Sequence, residues 1–292
     1  MVKCVLLGAT RGCGLETLLN LVDMGHSCYV LARNEAAFSK TLEARSPKTE
    51  LITVVQGDAF SEQDVERLFT TAGDGVGFVL FSLGGRPSFK NPLSPKLEPP
   101  QICSRTINVF LPVFIRVYPD PSTQPRLVVI SSSGIGPKGH RELPFAMKPM
   151  YSWLLKEPHA DKEDMERLVN SYAGIQHVDF NPTPGEVKLG NVVIVRPSFL
   201  VDGPVKGKVR AGESLEGAWT VQRSDVGRFI AVECGPGVDT WKNKGQKYIS
   251  TAIGRQLKPR AEVDRIGEVT PNFEISTIMS RARKHRRRFP LL

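Results

Sequence analysis

The clearest structural signal in this sequence is Gly8-Ala9-Thr10-Arg11-Gly12-Cys13-Gly14. An apolar run, residues 3–7, directly precedes it, and a segment with helical periodicity, residues 15–24, directly follows it. In a dinucleotide-binding βαβ unit, one glycine permits the tight turn, another lets the backbone approach a pyrophosphate, and the last allows the helix to pack closely on the strand. Free N–H groups and the positive end of the helix dipole then face the phosphates. We therefore predict that the cofactor is contacted by Gly8, Thr10, Arg11, Gly12, Cys13 and Gly14.

The alternation of apolar run and helical pattern continues along the chain. Further strands are predicted at residues 28–31, 51–55, 77–81, 126–130 and 192–195, and helices at 35–44, 62–69, 101–117 and 161–172. Runs rich in Val, Ile and Leu on both alternations are typical of parallel strands that are buried on both faces. The pattern predicts an α/β fold of the Rossmann type, doubly wound, with a mainly parallel sheet and helices on both faces.

The domain organisation follows from the same pattern. We expect a single domain spanning residues 1–292, with its core in residues 1–255 and a small extension on the substrate side, ending in a basic tail, in residues 256–292. The Pro-rich stretches 86–100 and 118–125 lack periodicity and are predicted as loops, and residues 175–191 as an inserted hairpin or loop. Because residues 86–100 follow a strand's C-terminal end, we expect them to wall a pocket together with residues 147–153 and the region of Phe199.

Composition excludes several classes of protein. Hydrophobic residues make up 40% of the chain and charged residues 24%, as in ordinary globular proteins, and no stretch reaches the roughly 18 apolar residues of a membrane span. The five cysteines are scattered without Cys-x-x-Cys spacing, which predicts neither a disulfide framework nor a zinc site. We expect a soluble protein of the cytoplasm with no membrane partner, no metal and cysteines that serve as small buried side chains.

The positive net charge is largely a property of the tail. The formal charge is +9, and six of the positive residues lie in one run, formed by Arg281, Arg283, Lys284, Arg286, Arg287 and Arg288. Such a run is either a nuclear-localisation or nucleic-acid patch or a solvated helix end. We favour the second interpretation, and so expect a small-molecule substrate rather than nucleic acid as the partner. We expect the protein in the cytoplasm, and the basic run keeps a nuclear location as the alternative. The sequence does not distinguish a monomer from a homodimer.

The residue that follows the second predicted strand bears on the choice of cofactor. About twenty residues after the glycine turn, an NAD-preferring site usually carries an acidic side chain against the ribose hydroxyls, but this chain carries Arg33. A guanidinium matches the planar geometry of a phosphate and keeps its charge. The sequence therefore predicts NADP(H), with Arg11 as a second cation. The alternative is that Arg33 only caps a strand in solvent.

Several further motifs occur in a recognisable order. They are Gly57-Asp58 after the third strand, Ser131-Ser132-Ser133-Gly134 after the fifth, Lys162 and Glu166 on a helix, Val195-Arg196-Pro197-x-x-Leu200 after the sixth, and Ser224-Asp225-Val226 at the start of a later helix. With the glycine turn and Arg33, this set resembles the atypical short-chain dehydrogenase/reductase family, the NAD(P)-binding group that includes biliverdin-IXβ (flavin) reductases and NmrA-like proteins. The resemblance spans positions 8 to about 235.

The resemblance implies positions for the parts of the cofactor. It places Asp58 and Ala59 beside the adenine and Ser82, Leu83 and Gly84 along the ribose and diphosphate. It surrounds the nicotinamide with Ser131, Ser132, Ser133, Pro197, Ser198 and Phe199, and it puts Lys162 near the ribose as the candidate catalytic residue. The alternatives are turn formation for the strand-end residues, Asp58 in particular, and an ordinary surface charge for Lys162.

The predicted chemistry lacks a dedicated proton donor. A typical short-chain dehydrogenase pairs a tyrosine with a lysine one helical turn later, but Leu155 stands four residues after Tyr151, Lys156 is one further, and Pro158 interrupts the segment. We predict an NADPH-dependent reductase of a small organic substrate, such as a quinone, flavin, enone or carbonyl, which takes its proton from water. The alternatives are a non-catalytic NADP(H) sensor of the NmrA-like type and, with less support, an epimerase or dehydratase that retains its cofactor.

Overall fold

A computed structural model of the chain describes residues 1–46, 48–88, 90, 96–174, 187–207, 209–212, 215, 217–238 and 248–254, the last segment and residues 86 and 87 as backbone only. Part of the predicted Pro-rich loop, most of the predicted insertion at 175–191 and all of the predicted extension at 256–292, including the basic run, lie outside these residues.

Every strand and helix that the sequence predicts is present, and the described residues form six further strands and two further helices that it did not predict. The strands are β1 (Lys3–Leu7), β2 (Ser27–Ala32), β3 (Ile52–Gln56), β4 (Val76–Phe81), β5 (Arg86–Ser88), β6 (Lys96–Glu98), β7 (Arg126–Ile130), β8 (Val192–Pro197), β9 (Phe199–Val201), β10 (Arg210–Gly212), β11 (Thr220–Gln222) and β12 (Tyr248–Gly254). The helices are α1 (Gly12–Asp23), α2 (Glu35–Arg45), α3 (Glu62–Ala72), α4 (Ile102–Val117), α5 (Gly136–Glu142), α6 (Lys148–Leu154), α7 (Lys156–Ala173) and α8 (Arg223–Glu233), and short 3₁₀ turns occur at Thr49–Leu51 and Phe145–Met147.

The main sheet is doubly wound, which confirms the predicted fold class. Its body is the parallel series β3-β2-β1-β4-β7-β8, and β12, parallel to β8, and β10, antiparallel to β12, extend one edge. The chain builds β1, β2 and β3 outward in one direction and then returns to place β4 on the other side of β1. This reversal of strand order leaves a crevice beyond the carboxyl ends of β1 and β4, where open α/β sheets bind ligands.

Alternate side chains of the strands enter two cores, one on each face of the sheet. Val5 and Leu7 of β1 face the core formed with α3, α4 and α7, while Cys4 and Leu6 face the core formed with α1, α2 and α8. Because successive strand residues point to opposite faces, a strand that is apolar throughout can supply both cores. All five cysteines are buried and free, in agreement with the prediction.

The structure corrects two predictions made for the Pro-containing segments. Residues 86–100 are not simply a loop, because β5 and β6 pair as an antiparallel ribbon, with Arg86 opposite Glu98. Proline is tolerated in such an edge strand, which has a free side. Pro158 does not interrupt the segment before Lys162 but lies in the first turn of α7, which begins at Lys156. In that turn a backbone N–H has no helical partner to lose.

Candidate functional site

A cleft of about 640 Å³ opens at the carboxyl ends of the parallel strands. Its walls contain every predicted site residue except Ser133, namely Gly8, Thr10, Arg11, Gly12, Cys13, Gly14, Arg33, Asp58, Ala59, Ser82, Leu83, Gly84, Ser131, Ser132, Lys162, Pro197, Ser198 and Phe199. Ser133 instead extends the strand pairing, since its backbone N–H donates to Pro197 O at 2.8 Å. The structure thus brings together residues that are separated by up to 191 positions in the sequence.

The glycine turn packs directly against the end of β4. A Cβ on Gly14 would lie 2.2 Å from Ser82 Oγ and 2.4 Å from Gly8 O, and a Cβ on Gly8, whose φ is +80°, would lie 2.6 Å from the carbonyl carbon of Ser82. Gly12 differs, because a Cβ there would meet nothing closer than Arg223 Cδ at 3.7 Å. Its requirement for glycine comes from a φ of +60° and from the cleft that its backbone faces. The turn is therefore a cradle with room above Gly12 for a phosphate group.

The cations predicted for the cofactor lie at two places along the cleft. Arg11 crosses the glycine turn and donates to Gly84 O at 3.1 Å. Arg33 is exposed at the end of β2, where it also borders a shallow hollow lined by Asn34, Glu35, Ala36, Ser39 and Gln56. Asn34 caps α2 by accepting from Ala37 N at 2.9 Å. This hollow combines a guanidinium with the positive end of a helix, which is a favourable setting for a phosphate.

Asp58 forms a turn and also borders the cleft. Its Oδ1 accepts from Phe60 N at 3.1 Å, which is the turn formation considered above as an alternative. Its own N–H donates to Asp64 Oδ2 at 2.8 Å, and this hydrogen bond is the main reason that the pKa of Asp64 is lowered. The turn holds the loop after β3 in place, so that Asp58 and Ala59 lie on the cleft wall.

Buried hydroxyls occupy the ends of β7 and β8. Ser131 and Ser198 are 3% and 2% exposed, and their side-chain oxygens have no hydrogen-bond partner among the described residues. A buried polar group without a partner is rare in a folded protein and calls for an explanation such as a ligand or an ordered water. Both serines border the cleft, so they fit the carboxamide of a nicotinamide. The glycine cradle and these hydroxyls together fit a nicotinamide dinucleotide.

Lys162 is an anchored residue rather than an ordinary surface charge. Its Nζ donates to Ile130 O at 2.9 Å, at the end of β7, and its side chain borders the cleft. The neighbouring Asp161 fixes α7 to α4 by accepting from Cys103 N and Ser104 N, each at 2.8 Å. Glu166, which is buried one turn after Lys162 on α7, pairs with Arg196 of β8. These contacts set the position of Lys162 relative to the sheet.

The sequence-based prediction missed His159. Its Nε2 lies 3.2 Å from Ser132 Oγ, and its ring meets Tyr151 edge to face at a centroid distance of 5.3 Å. Burial lowers the pKa of His159 to about 4, with further contributions from the charges of Lys162 and His140. Lys162 lies three positions after His159, so both lie on one face of α7, and this helical spacing was the available signal.

Tyr151 belongs to a different helix from the lysine considered as its partner. The chain leaves helical geometry at Leu155, so Tyr151 lies in α6 and Lys156 opens α7, whereas the prediction treated them as one helix. Tyr151 is 2% exposed, and burial raises the pKa of its hydroxyl to about 12. A phenol with such a pKa is a weak proton donor at neutral pH.

Two classes of feature are absent from the described residues. They contain no group of three or more His, Cys, Asp or Glu residues that could hold a metal ion. In the same part of the chain, no helix has the length and apolar character needed to cross a membrane.

Comparison with known proteins agrees with this geometry. Residues 8–234 match the sequence profile of the NAD(P)H-binding family. The chain is 36% identical to Reductase pytE of Aspergillus terreus, in an alignment that covers 76% of this chain and 88% of that protein, and 25% identical to Oxidase pynE of Aspergillus niger, covering 77% and 89%.

Solved structures with low sequence identity share the fold. ChuY, an anaerobilin reductase from Escherichia coli O157:H7, superposes with a TM-score of 0.58 at 17% identity, covering 89% of this chain and 100% of that one. A short-chain dehydrogenase/reductase from Veillonella parvula superposes with a TM-score of 0.57 at 14% identity, covering 89% and 99%.

Proposed function

Because the chain belongs to the NAD(P)H-binding family of atypical short-chain dehydrogenases/reductases, we propose that it is an NADPH-dependent reductase of a small organic acceptor. The observation that carries this proposal is the cleft itself, because the glycine cradle and the hydroxyls of Ser131 and Ser198, which have no hydrogen-bond partner among the described residues, border one cavity. The 36% identity to a reductase supports reduction rather than another use of the cofactor. The acceptor classes proposed are quinones, flavins, enones and carbonyls.

The preference for NADPH over NADH rests on Arg33. Its guanidinium stands at the end of β2 beside the N-terminus of α2, where a 2′-phosphate would gain charge-assisted hydrogen bonds. Glu35 borders the same hollow and opposes a phosphate there, whereas the positive end of the α2 dipole favours one; Asn34 satisfies the Ala37 N–H as the helix cap. Arg33 would therefore bind the phosphate that distinguishes the two cofactors.

In this proposal, no side chain of the protein acts as a strong proton donor in the reaction. A bound NADPH supplies a hydride to the acceptor. Tyr151, with a pKa of about 12, stays protonated and donates poorly, and His159, with a pKa of about 4, is neutral at physiological pH. Lys162, tied to Ile130 O, orients the cofactor ribose instead of donating a proton. An acceptor whose reduced form takes its proton from water suits this site.

The competing proposal is a non-catalytic NADP(H) sensor. It is favoured by the absence of a lysine one turn after Tyr151 on α6, since a sensor needs no proton donor. It differs from a reductase in one measurable respect, which is turnover of NADPH in the presence of an acceptor.

The test combines binding and turnover. Titration calorimetry with NADPH and NADH should give tighter binding of NADPH, and Arg33→Ala should weaken NADPH by about 1.5–3 kcal/mol while leaving NADH unchanged. Lys40→Ala, which removes an exposed cation elsewhere on α2, is the matched control. Equal losses for both cofactors would contradict the NADP preference. Oxidation of NADPH with a panel of quinones, flavins and enones supports the reductase, and tight binding without turnover on the whole panel supports the sensor.

A further inference from the structure

Arg223 is a cation in the cleft to which the sequence analysis assigned no role. It is the first residue of α8, its side chain is 32% exposed, and its Nη1 donates to Asp202 Oδ1 at 2.8 Å. Asp202 follows β9, and its own side chain is 89% exposed. Both residues border the cofactor cleft. An ion pair that faces solvent in this way contributes little to stability.

Two contacts show that α8 brings Arg223 to the glycine turn. The nearest atom to a Cβ built on Gly12 is Arg223 Cδ, at 3.7 Å, and a Cβ built on Gly227 would lie 2.4 Å from Glu16 Cβ. Gly12 and Glu16 are four residues apart on α1, and Arg223 and Gly227 are four residues apart on α8, in the same order. The helices therefore run side by side in the same direction, and both N-termini point at the same part of the cleft.

This arrangement places a guanidinium and two helix N-termini beside Gly12. Each helix N-terminus carries a partial positive charge and free N–H groups. Burial raises the pKa of the Cys13 thiol to about 12, and Arg223 exerts the largest opposing charge effect on that thiol, followed by Lys162. The positive charge of Arg223 is therefore felt inside the glycine turn, and Arg11 adds a second guanidinium on the side of Gly84.

We propose that Arg223 is a cofactor-binding residue whose guanidinium hydrogen-bonds the diphosphate of the dinucleotide above Gly12. The inference rests on the cofactor site of the proposed function. Asp202 holds the side chain at the mouth of the cleft through one nitrogen, and the planar guanidinium has further donors for phosphate oxygens. Arg223 and Arg11 thus flank the diphosphate from different elements, whereas Arg33 lies at the adenosine end.

This assignment predicts a pattern that separates Arg223 from Arg33. The diphosphate is common to NADPH and NADH, while the 2′-phosphate occurs only in NADPH. Arg223→Gln should therefore weaken the binding of both cofactors by the same factor, at least about tenfold, as expected for loss of a charge-assisted hydrogen bond. Arg223→Lys keeps the charge without the planar fork, so its affinity for each cofactor should lie between those of the unmodified chain and Arg223→Gln.

The experiment is titration calorimetry of the full chain with NADPH and with NADH. The variants are Arg223→Gln, Arg223→Lys and Asp202→Asn, with Arg228→Gln as a control for the loss of an exposed cation on α8. Asp202→Asn weakens the ion pair but keeps the guanidinium and an oxygen that can accept from it, so it should weaken the binding of both cofactors clearly less than Arg223→Gln does. Thermal unfolding without cofactor checks that each variant is folded.

Each result has a distinct meaning. Unchanged binding by Arg223→Gln would overturn the inference, as would an equal loss in Asp202→Asn, which would show that the ion pair only orders the loop. A loss confined to NADPH would also overturn it, because it would move Arg223 to the 2′-phosphate. Failure of the unmodified chain to bind either dinucleotide would overturn the proposed function together with this inference.

Discussion

The buried imidazole of His159 should make the stability of the protein depend on pH. Its pKa is lowered from 6.5 to about 4 in the folded chain, mainly by burial. Between these values the unfolded chain binds a proton that the folded chain does not, so the stabilisation is complete above pH 6.5 and is lost as the pH falls toward 4. From these two pKa values, we expect a loss of about 2 kcal/mol between about pH 7.5 and about pH 5.

The assay is urea unfolding at several pH values for the unmodified chain and for His159→Gln. Glutamine can still hydrogen-bond Ser132 but does not titrate, so the variant should lose about 2 kcal/mol less than the unmodified chain over this pH range. His26→Gln is a useful comparison, because the pKa of His26 is also lowered by burial but its side chain is only partly buried. Identical pH dependence in the unmodified chain and His159→Gln, or an imidazole of His159 that titrates near 6.5 by NMR, would refute the reasoning.

Further predictions concern the cradle, the proton path and the tail. Gly12→Val should abolish cofactor binding and lower the melting temperature through strain at a φ of +60°, with the fold largely kept because a Cβ there meets nothing closer than Arg223 Cδ at 3.7 Å. Gly14→Ala should lower the melting temperature through contact with Ser82. Calorimetry and thermal unfolding test both. Tyr151→Phe should keep reductase activity within about tenfold, while Lys162→Ala should weaken NADPH binding or slow turnover. A several-hundredfold loss of turnover in Tyr151→Phe, with NADPH affinity intact, would reveal a proton relay. Deletion of residues 281–292 should leave NADPH affinity unchanged in titration, since no described site residue lies beyond Arg223, and a changed affinity would place the tail at the cleft.

The outline of the fold was predictable because its signals are local. The glycine turn needs only a strand before it and a helix after it, and the buried strands β1, β2, β4, β7 and β8 reveal themselves through continuous apolar runs. The positions that line the cleft were implied by the family resemblance, and they agree with the rule that ligands bind at the carboxyl ends of parallel strands. Local signals failed for the segment from Pro144 to Pro158, where prolines mark helix starts as readily as helix ends.

The partners of the site residues depend on contacts that no local pattern contains. Ser132 meets His159 from another element 27 residues away, and Arg223 reaches Gly12 across 211 positions because Gly227 lets α8 pack closely on α1. The burial that shifts the pKa values of Tyr151 and His159 likewise arises only when α6 and α7 pack at the carboxyl ends of β7 and β8. Residue periodicity encodes which segments become strands and helices, whereas distances and desolvation are properties of the assembled chain, because they depend on which distant segments pack together.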